Sequence, residues 1–179
     1  LILSELNKTQ NIDAENFLKE NGLNRDSILQ TGISQVDILN QTAALLNIDF
    51  SEFLNNTKPY LTLEQISEIK QQGFSIGAHS ENHPEFYKIS EEEQLDEIKQ
   101  SINWVVENFN PEIKTFAFPF TDDGVSLQFL KRLKTENICD LTFGTAGLKY
   151  DECATHFQRY PAEQNGDFKL NLKAEWVYY

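Results

Sequence analysis

The sequence contains no methionine, and glycine and proline are scarce, with 8 Gly and 5 Pro in 179 residues. This scarcity excludes a collagen-like or linker-like chain. Hydrophobic residues make up 40% of the chain and include 13 Phe, which is enough apolar surface for a folded core and excludes a wholly disordered chain. Because position 1 is Leu and Met is absent, we expect the sequence to be part of a longer protein.

Positive charge is also scarce: 15 Lys and Arg stand against 28 Asp and Glu, so the formal net charge is −13. Nucleic-acid phosphates and anionic membrane surfaces both attract proteins through clustered Lys and Arg. We therefore predict no nucleic-acid partner. Because no apolar run approaches the roughly 18 residues of a spanning helix, we also predict no membrane segment in this chain.

Two cysteines, Cys139 and Cys153, are too few for a disulfide scaffold and lack the C-x-x-C spacing of redox motifs. We interpret them as free thiols, and one bridge between them is the alternative. Free thiols slightly favour a cytoplasmic location. Export of the parent protein stays open.

The composition changes near Pro59. Residues 1–58 are rich in Asn, Gln, Leu and Ile, and capping residues precede short apolar repeats, which predicts a series of short helices. We interpret this part as a helical insertion or cap, and a lid over a substrate groove is the alternative. Residues 59–179 form the second predicted domain.

Helix and strand patterns alternate after residue 60. Capping boxes predict helices that begin after Thr62 and Ser90. The predicted strands are Phe74–Ala78, Lys114–Phe118 and Leu141–Phe143. Such alternation predicts parallel strands joined by helices, with the chemistry in the loops after the strands. The last segment, residues 167–179, fits a strand or a helix, and a capping Asp at its start favours the helix.

Two histidines follow the first predicted strand directly. The H-x-x-x-H spacing of His79 and His83 lets both imidazoles converge if the loop makes one helical turn. Neutral imidazole is a natural ligand of zinc and similar divalent ions. The alternative is that the two are surface or N-cap histidines that happen to be neighbours.

Two motifs in this order resemble a known family. Residues 61–84 contain a helix, a glycine, a strand and the motif H-S-E-N-H, and residues 115–120 read T-F-A-F-P-F. Together they resemble the polysaccharide deacetylases of the NodB-homology type, carbohydrate esterase family 4, over about residues 60–145. The resemblance implies an α/β fold: an incomplete, distorted (β/α) barrel with an N-terminal helical insertion.

The resemblance also implies roles for individual residues. His79 and His83 would bind the catalytic divalent metal, most readily zinc, and the Ser80 hydroxyl would steady their loop. Phe120 would direct its backbone N–H at the oxyanion of the tetrahedral intermediate.

Three further residues are implied less directly. Pro119 would shape the Phe120 loop and, with Phe118, wall the substrate groove. Arg159 would serve as a groove or ion-pair residue.

The sequence departs from the family pattern in two places. The first motif, a T-F-D-D-like strand end that carries the carboxylate ligand and the general base, does not occur before His79. Residues 122–124, D-D-G, imitate it but come after the T-F-A-F-P-F run of residues 115–120; we interpret them as a turn, with a ligand role as the alternative. The family often has an L-x-H motif near the C-terminus whose histidine acts as general acid, and this chain has none. His156 is either a substitute general acid or, as we favour, a plain surface histidine.

The expected function is therefore a metal-dependent hydrolase that removes acetyl groups from an N- or O-acetylated polysaccharide or sugar. Because the motif with the catalytic aspartates is missing, we expect this chain to be inactive alone. The alternatives are a non-catalytic carbohydrate-binding relative and an interaction domain whose histidines are incidental.

Overall fold

The computed structural model describes residues 1–162 and 167–178. The chain forms two compact units, Leu1–Ile66 and Ser67–Tyr179, and each is described by itself. The boundary predicted between residues 58 and 59 stays a prediction.

The first unit consists of short helices, as the capping pattern predicts. They are α1 (Ile2–Lys8), α2 (Ile12–Glu20), α3 (Val36–Leu45) and α4 (Phe50–Thr57), with 3₁₀ turns at Ile28–Gln30 and Ile33–Gln35. Asn11 caps α2 through its side-chain oxygen, and Asp49 caps α4. Apolar side chains three or four residues apart on the helices meet in one core with Leu23 and Ile28 of the connecting segment. The buried residues of this core are Ile2, Leu6, Ala14, Leu18, Leu23, Ile28, Ala43 and Leu46.

Helix α5 (Leu63–Gln71) begins in the first unit and ends in the second. The remaining elements are α6 (Glu91–Phe109), β1 (Thr115–Ala117), α7 (Leu127–Thr135), β2 (Leu141–Gly144), β3 (His156–Gln158) and α8 (Phe168–Tyr178). The strands form a parallel sheet in the order β1-β2-β3. This arrangement agrees with the predicted α/β class, and the incomplete barrel is not confirmed by it.

The predicted strand Phe74–Ala78 is wrong for most of its length. Only Ala78 pairs with the sheet, through a parallel bridge to Phe116. Its N–H donates to Thr115 O and its carbonyl accepts from Ala117 N, both at 2.9 Å. Alternation of apolar and polar residues predicts a segment with one buried and one exposed face. A strand also needs a neighbouring backbone in register with which to form hydrogen bonds. Among the described residues, no such neighbour pairs with residues 74–77.

Helix α6 supports the sheet in the second unit. Its buried stripe includes Leu95, Ile98, Ile102, Val105 and Phe109. Beneath the sheet, Phe86, Phe116 and Phe118 are fully buried, with ring centroids 5.0–5.8 Å apart. These rings hold β1, and so the loop that follows it, in a fixed position.

The two cysteines are free and buried, which confirms the prediction of free thiols. Burial raises the pKa of the Cys139 thiol to about 11. The Cys139 thiol is therefore almost entirely protonated at neutral pH, which makes it a poor nucleophile.

Two further expectations concern the helices. In α8, Asp167 accepts hydrogen bonds from the N–H groups of Lys169 and Leu170, which confirms the favoured helix; Tyr179 lies outside the described residues. None of the described helices combines the length and apolar composition that crossing a bilayer needs.

The capping box of α6 predicts a measurable loss of stability. The Ser90 hydroxyl accepts from Glu93 N at 3.3 Å, so Ser90→Ala leaves a helix N–H without its acceptor. We expect the free energy of unfolding to fall by about 1 kcal/mol, measured by denaturant titration with circular dichroism. Ser90→Thr, which keeps the hydroxyl, is the matched control; equal losses in both variants would contradict the capping role.

Candidate functional site

The loop after Ala78 brings the two motif histidines together. The Nε2 atoms of His79 and His83 lie 3.2 Å apart, and the ring centroids are 4.9 Å apart at an angle of 74°. The loop does not make the expected helical turn. Instead, Ser80 and His83 have positive φ values of 67° and 52°, a conformation that non-glycine residues adopt at some cost.

Hydrogen bonds fix the orientation of the first imidazole. His79 Nδ1 lies 2.7 Å from the carbonyl oxygen of Ala117. Because a carbonyl only accepts, Nδ1 carries the hydrogen and Nε2 presents its lone pair. The His83 Nε2–H can then donate to His79 Nε2. In this arrangement the hydrogen on His83 Nε2 lies between the two nitrogens, where a metal cation could bind instead.

Two side chains hold the backbone of this loop. The Ser80 hydroxyl accepts from His83 N at 3.0 Å, the contact that the resemblance implies. Glu97 of α6 accepts from Glu81 N and Asn82 N at 2.9 Å and from Asn82 Nδ2 at 2.7 Å. Sequence reasoning missed Glu97, because an acidic residue on a polar helix face carries no local signal of a distant partner.

Phe120 lies against the histidines. Phe120 is 62% exposed, and its ring packs edge-on to the His83 ring with centroids 4.6 Å apart. Its φ is 53°, so the loop after β1 is held in a left-handed conformation at this residue. Among the described residues the Phe120 N–H has no hydrogen-bond acceptor, which leaves this donor free for a ligand.

The other predicted groove residues lie elsewhere. The side chains of Phe118 and Pro119 are fully buried, so neither forms a wall of a groove, and a supporting role beneath the Phe120 loop is what remains of the prediction. Arg159 donates to the carbonyl oxygens of Phe118 at 2.7 Å and Gly144 at 3.0 Å. It ties the ends of β1 and β2 together instead of facing an open groove.

An open cleft of about 440 Å³ adjoins the histidine loop. Its lining includes His79, Ser80, Gln100, Ser101 and Trp104, and Trp104 is 48% exposed. An aromatic surface with a few polar groups is typical of small-molecule sites.

A second polar cluster lies in the same unit. His156 is buried with a fully inaccessible side chain, so the interpretation as a surface histidine is wrong; tertiary packing against β2 covers it. Its Nε2 lies 3.0 Å from Asp122 Oδ2 and 3.9 Å from Asp151 Oδ2. The three side chains could together hold a metal ion.

Asp122 has two structural features. The turn predicted at residues 122–124 is present, and Val125 N donates to Asp122 O at 3.1 Å. Burial acts most strongly on the carboxyl group and by itself raises its pKa. Hydrogen bonds from His156, Gln158 and the Thr145 N–H outweigh that effect, so the pKa of Asp122 lies well below its usual range.

Comparison with known proteins identifies the family. A family model described as Polysaccharide deacetylase matches residues 36–137. The match covers more than half of the 179 residues, and the chain therefore belongs to the polysaccharide deacetylase family, which confirms the resemblance. Membership implies a hydrolase of the carbohydrate esterase type and an acetylated carbohydrate substrate. No curated protein and no solved structure matched the chain.

The histidine pair fits the divalent metal that the family implies. Two imidazole nitrogens converge at 3.2 Å, and the His79 tautomer is the one that metal binding through Nε2 requires. The described residues add no third ligand to this pair, because their one group of three potential ligands is Asp122, Asp151 and His156.

The carbonyl of Ala117 predicts a single His79 tautomer. At a pH of about 8, where an ordinary imidazole is neutral, we expect His79 in the metal-free chain to carry its hydrogen on Nδ1. Long-range ¹H–¹⁵N NMR correlations distinguish the two ring nitrogens. A hydrogen on Nε2, or a mixture of tautomers, would contradict the contact with Ala117.

The hydrogen bonds to Glu97 should protect the amides of Glu81 and Asn82 from hydrogen exchange. In Glu97→Ala the N–H groups of Glu81 and Asn82 lose a charged acceptor, and we expect their hydrogen exchange to accelerate by about tenfold or more. Exchange measured by NMR or mass spectrometry tests this. Glu107→Ala removes an exposed acid from the same helix and should leave both amides unchanged.

Proposed function

We propose that this chain contributes the metal-binding histidines, the oxyanion donor and part of the substrate groove to a metal-dependent deacetylase. The observation that carries the proposal is the convergence of His79 and His83 at 3.2 Å, with the Phe120 ring packed against His83. The substrate is an N- or O-acetylated polysaccharide or sugar, as the family implies.

The residues of this chain have separate tasks. His79 and His83 would hold a divalent ion, zinc in this proposal, which would supply Lewis acidity towards the acetyl carbonyl and would lower the pKa of a water molecule. Ala117 holds His79 in the ligating tautomer, and Ser80 holds the backbone of His83. The Phe120 N–H donates to the oxyanion as negative charge develops there.

No residue of this chain is assigned the role of general base. The sequence has no T-F-D-D-like motif before His79, and among the described residues no carboxylate joins the histidine pair as a third ligand. We therefore infer that the 179-residue chain has no deacetylase activity by itself. The location in the cell stays a prediction.

The missing carboxylate also favours a second candidate function. A relative that keeps the fold, the histidine loop and the cleft at Trp104, but lacks the aspartates, would bind an acetylated carbohydrate without hydrolysing it. The two candidates differ in one readout: acetate release by the full-length protein.

Metal binding tests the shared part of both candidates. We expect His79→Ala to weaken zinc binding at the histidine pair by at least about tenfold, measured by competition with a chromophoric chelator. Gln100→Ala changes the same cleft without removing a ligand and is the matched control. Zinc affinity that is unchanged by His79→Ala would contradict the proposed ligand.

Activity separates the candidates. We expect the full-length protein with zinc to release acetate from N-acetylglucosamine oligomers or acetylated xylan, and His79→Ala to abolish the release. Saturable binding of these glycans without acetate release would support the binding relative. Acetate release by the 179-residue chain would overturn the inference that this chain lacks a general base.

A further inference from the structure

A second group of potential ligands lies apart from the histidine pair and is not used by the proposed reaction. We propose that Asp122, Asp151 and His156 form a second divalent-metal site, which ties together the loop after β1, the loop between β2 and β3, and β3 itself. This site is independent of the proposed function.

The ligand atoms are close to metal-binding distances. His156 Nε2 lies 3.0 Å from Asp122 Oδ2 and 3.9 Å from Asp151 Oδ2, and the three ligand atoms all lie within 4.8 Å of one another. In a tetrahedral site, ligands bound to zinc at about 2.0–2.2 Å are about 3.3–3.6 Å apart. A small movement of Asp151, which lies in a loop, would complete the geometry.

The amide nitrogen of Gln158 marks the centre of the site. It lies 2.9 Å from Asp122 Oδ2, 3.0 Å from Asp151 Oδ2 and 3.0 Å from His156 Nε2, while its Oε1 accepts from Ala146 N at 2.7 Å. A primary amide has two hydrogens for these three neighbours. Its partly positive nitrogen therefore occupies the position that a cation would take.

No neutral tautomer of His156 satisfies both close contacts of its Nε2. If Nε2 carries a hydrogen, it donates to Asp122 but meets the amide hydrogens of Gln158 at 3.0 Å. If Nε2 is bare, it accepts from Gln158 but directs its lone pair at the Asp122 carboxylate. A cation in place of the amide nitrogen removes this conflict, because all three neighbouring atoms then donate lone pairs to it.

Thr142 can support the metal-bound tautomer. Its hydroxyl lies 2.8 Å from His156 Nδ1 and 3.5 Å from the carbonyl oxygen of Thr155. The hydroxyl can therefore accept the Nδ1–H of His156 and donate to Thr155, which leaves Nε2 free for the metal. Metal-bound histidines generally have such a partner on their other ring nitrogen.

The charges of the cluster also favour a cation. Two carboxylates approach each other here: the ligand oxygens of Asp122 and Asp151 lie within 4.8 Å of each other, and both side chains are largely buried. The nearest full positive charge to Asp151 is the exposed Lys149, at 3.8 Å, and such a pair compensates little. Arg159 donates its hydrogen bonds to two backbone carbonyls; it also interacts electrostatically with Asp122, so it compensates part of the charge at Asp122 but forms no ion pair with Asp151.

The site has an entrance and lies largely outside the family match. Asp151, His156 and Gln158 line an open cleft of about 560 Å³, from which an ion would reach the buried His156 nitrogen by displacing the Gln158 amide. Two of the three ligands follow residue 137, where the family match ends. Carboxylates with imidazole suit Zn²⁺ better than Mg²⁺, because imidazole is a poor ligand for magnesium.

The test uses the chain with both histidines of the other pair removed. In His79→Ala/His83→Ala we expect one equivalent of Zn²⁺ to bind, measured by isothermal titration in excess Mg²⁺, which masks weak binding to surface acids. Adding Asp151→Asn should weaken this binding by at least about tenfold. Glu152→Gln, an exposed acid in the same loop, makes the same change of charge and should leave it intact.

Each outcome decides the proposal separately from the histidine pair. Zn²⁺ should raise the melting temperature of the double-histidine variant, and Asp151→Asn should remove that rise. Circular dichroism without metal checks that Asp151→Asn is folded. If the double-histidine variant binds no zinc, or if Asp151→Asn and Glu152→Gln bind it equally, the second site does not exist, and the proposed deacetylase function is unaffected.

Discussion

A single point of backbone pairing positions the candidate active site. Ala78 exchanges hydrogen bonds with Thr115 and Ala117 at 2.9 Å, which joins the end of the histidine segment to β1. The next residue, His79, then contacts the carbonyl of Ala117 through Nδ1. Two motifs that are separated by the whole of α6 thus become neighbours through one parallel bridge, and the orientation of the imidazole depends on it.

The packing beneath this bridge makes it rigid. Phe116 and Phe118 are fully buried against Phe86, and Arg159 binds the carbonyl at the end of β1 to that at the end of β2. Close packing and satisfied carbonyls leave the Phe120 loop few alternative positions. A buried support therefore holds the exposed ring of Phe120 against His83.

Local signals predicted local structure well. The capping boxes at Thr62 and Ser90 are formed, because their partners are three residues away and the sequence contains the whole interaction. Of the predicted strand Phe74–Ala78, only Ala78 pairs with the sheet, and β3 was not predicted. Both differences arise because strand pairing depends on a neighbour that is distant in sequence. His156 shows the same limit: its burial depends on Thr142, Asp122 and the register of β2 with β3.

The sequence by itself determined the family, the helical first part, the free thiols and the two histidines of the candidate site. Spacing and capping chemistry act over a few residues, and the family motifs are read directly from the chain. Only the tertiary structure decided that His79 and His83 converge at 3.2 Å, that Glu97 holds their loop, and that Asp122, Asp151 and His156 meet. These contacts join residues from different elements, so they exist only after the sheet, its flanking helix and the buried aromatic rings have packed together.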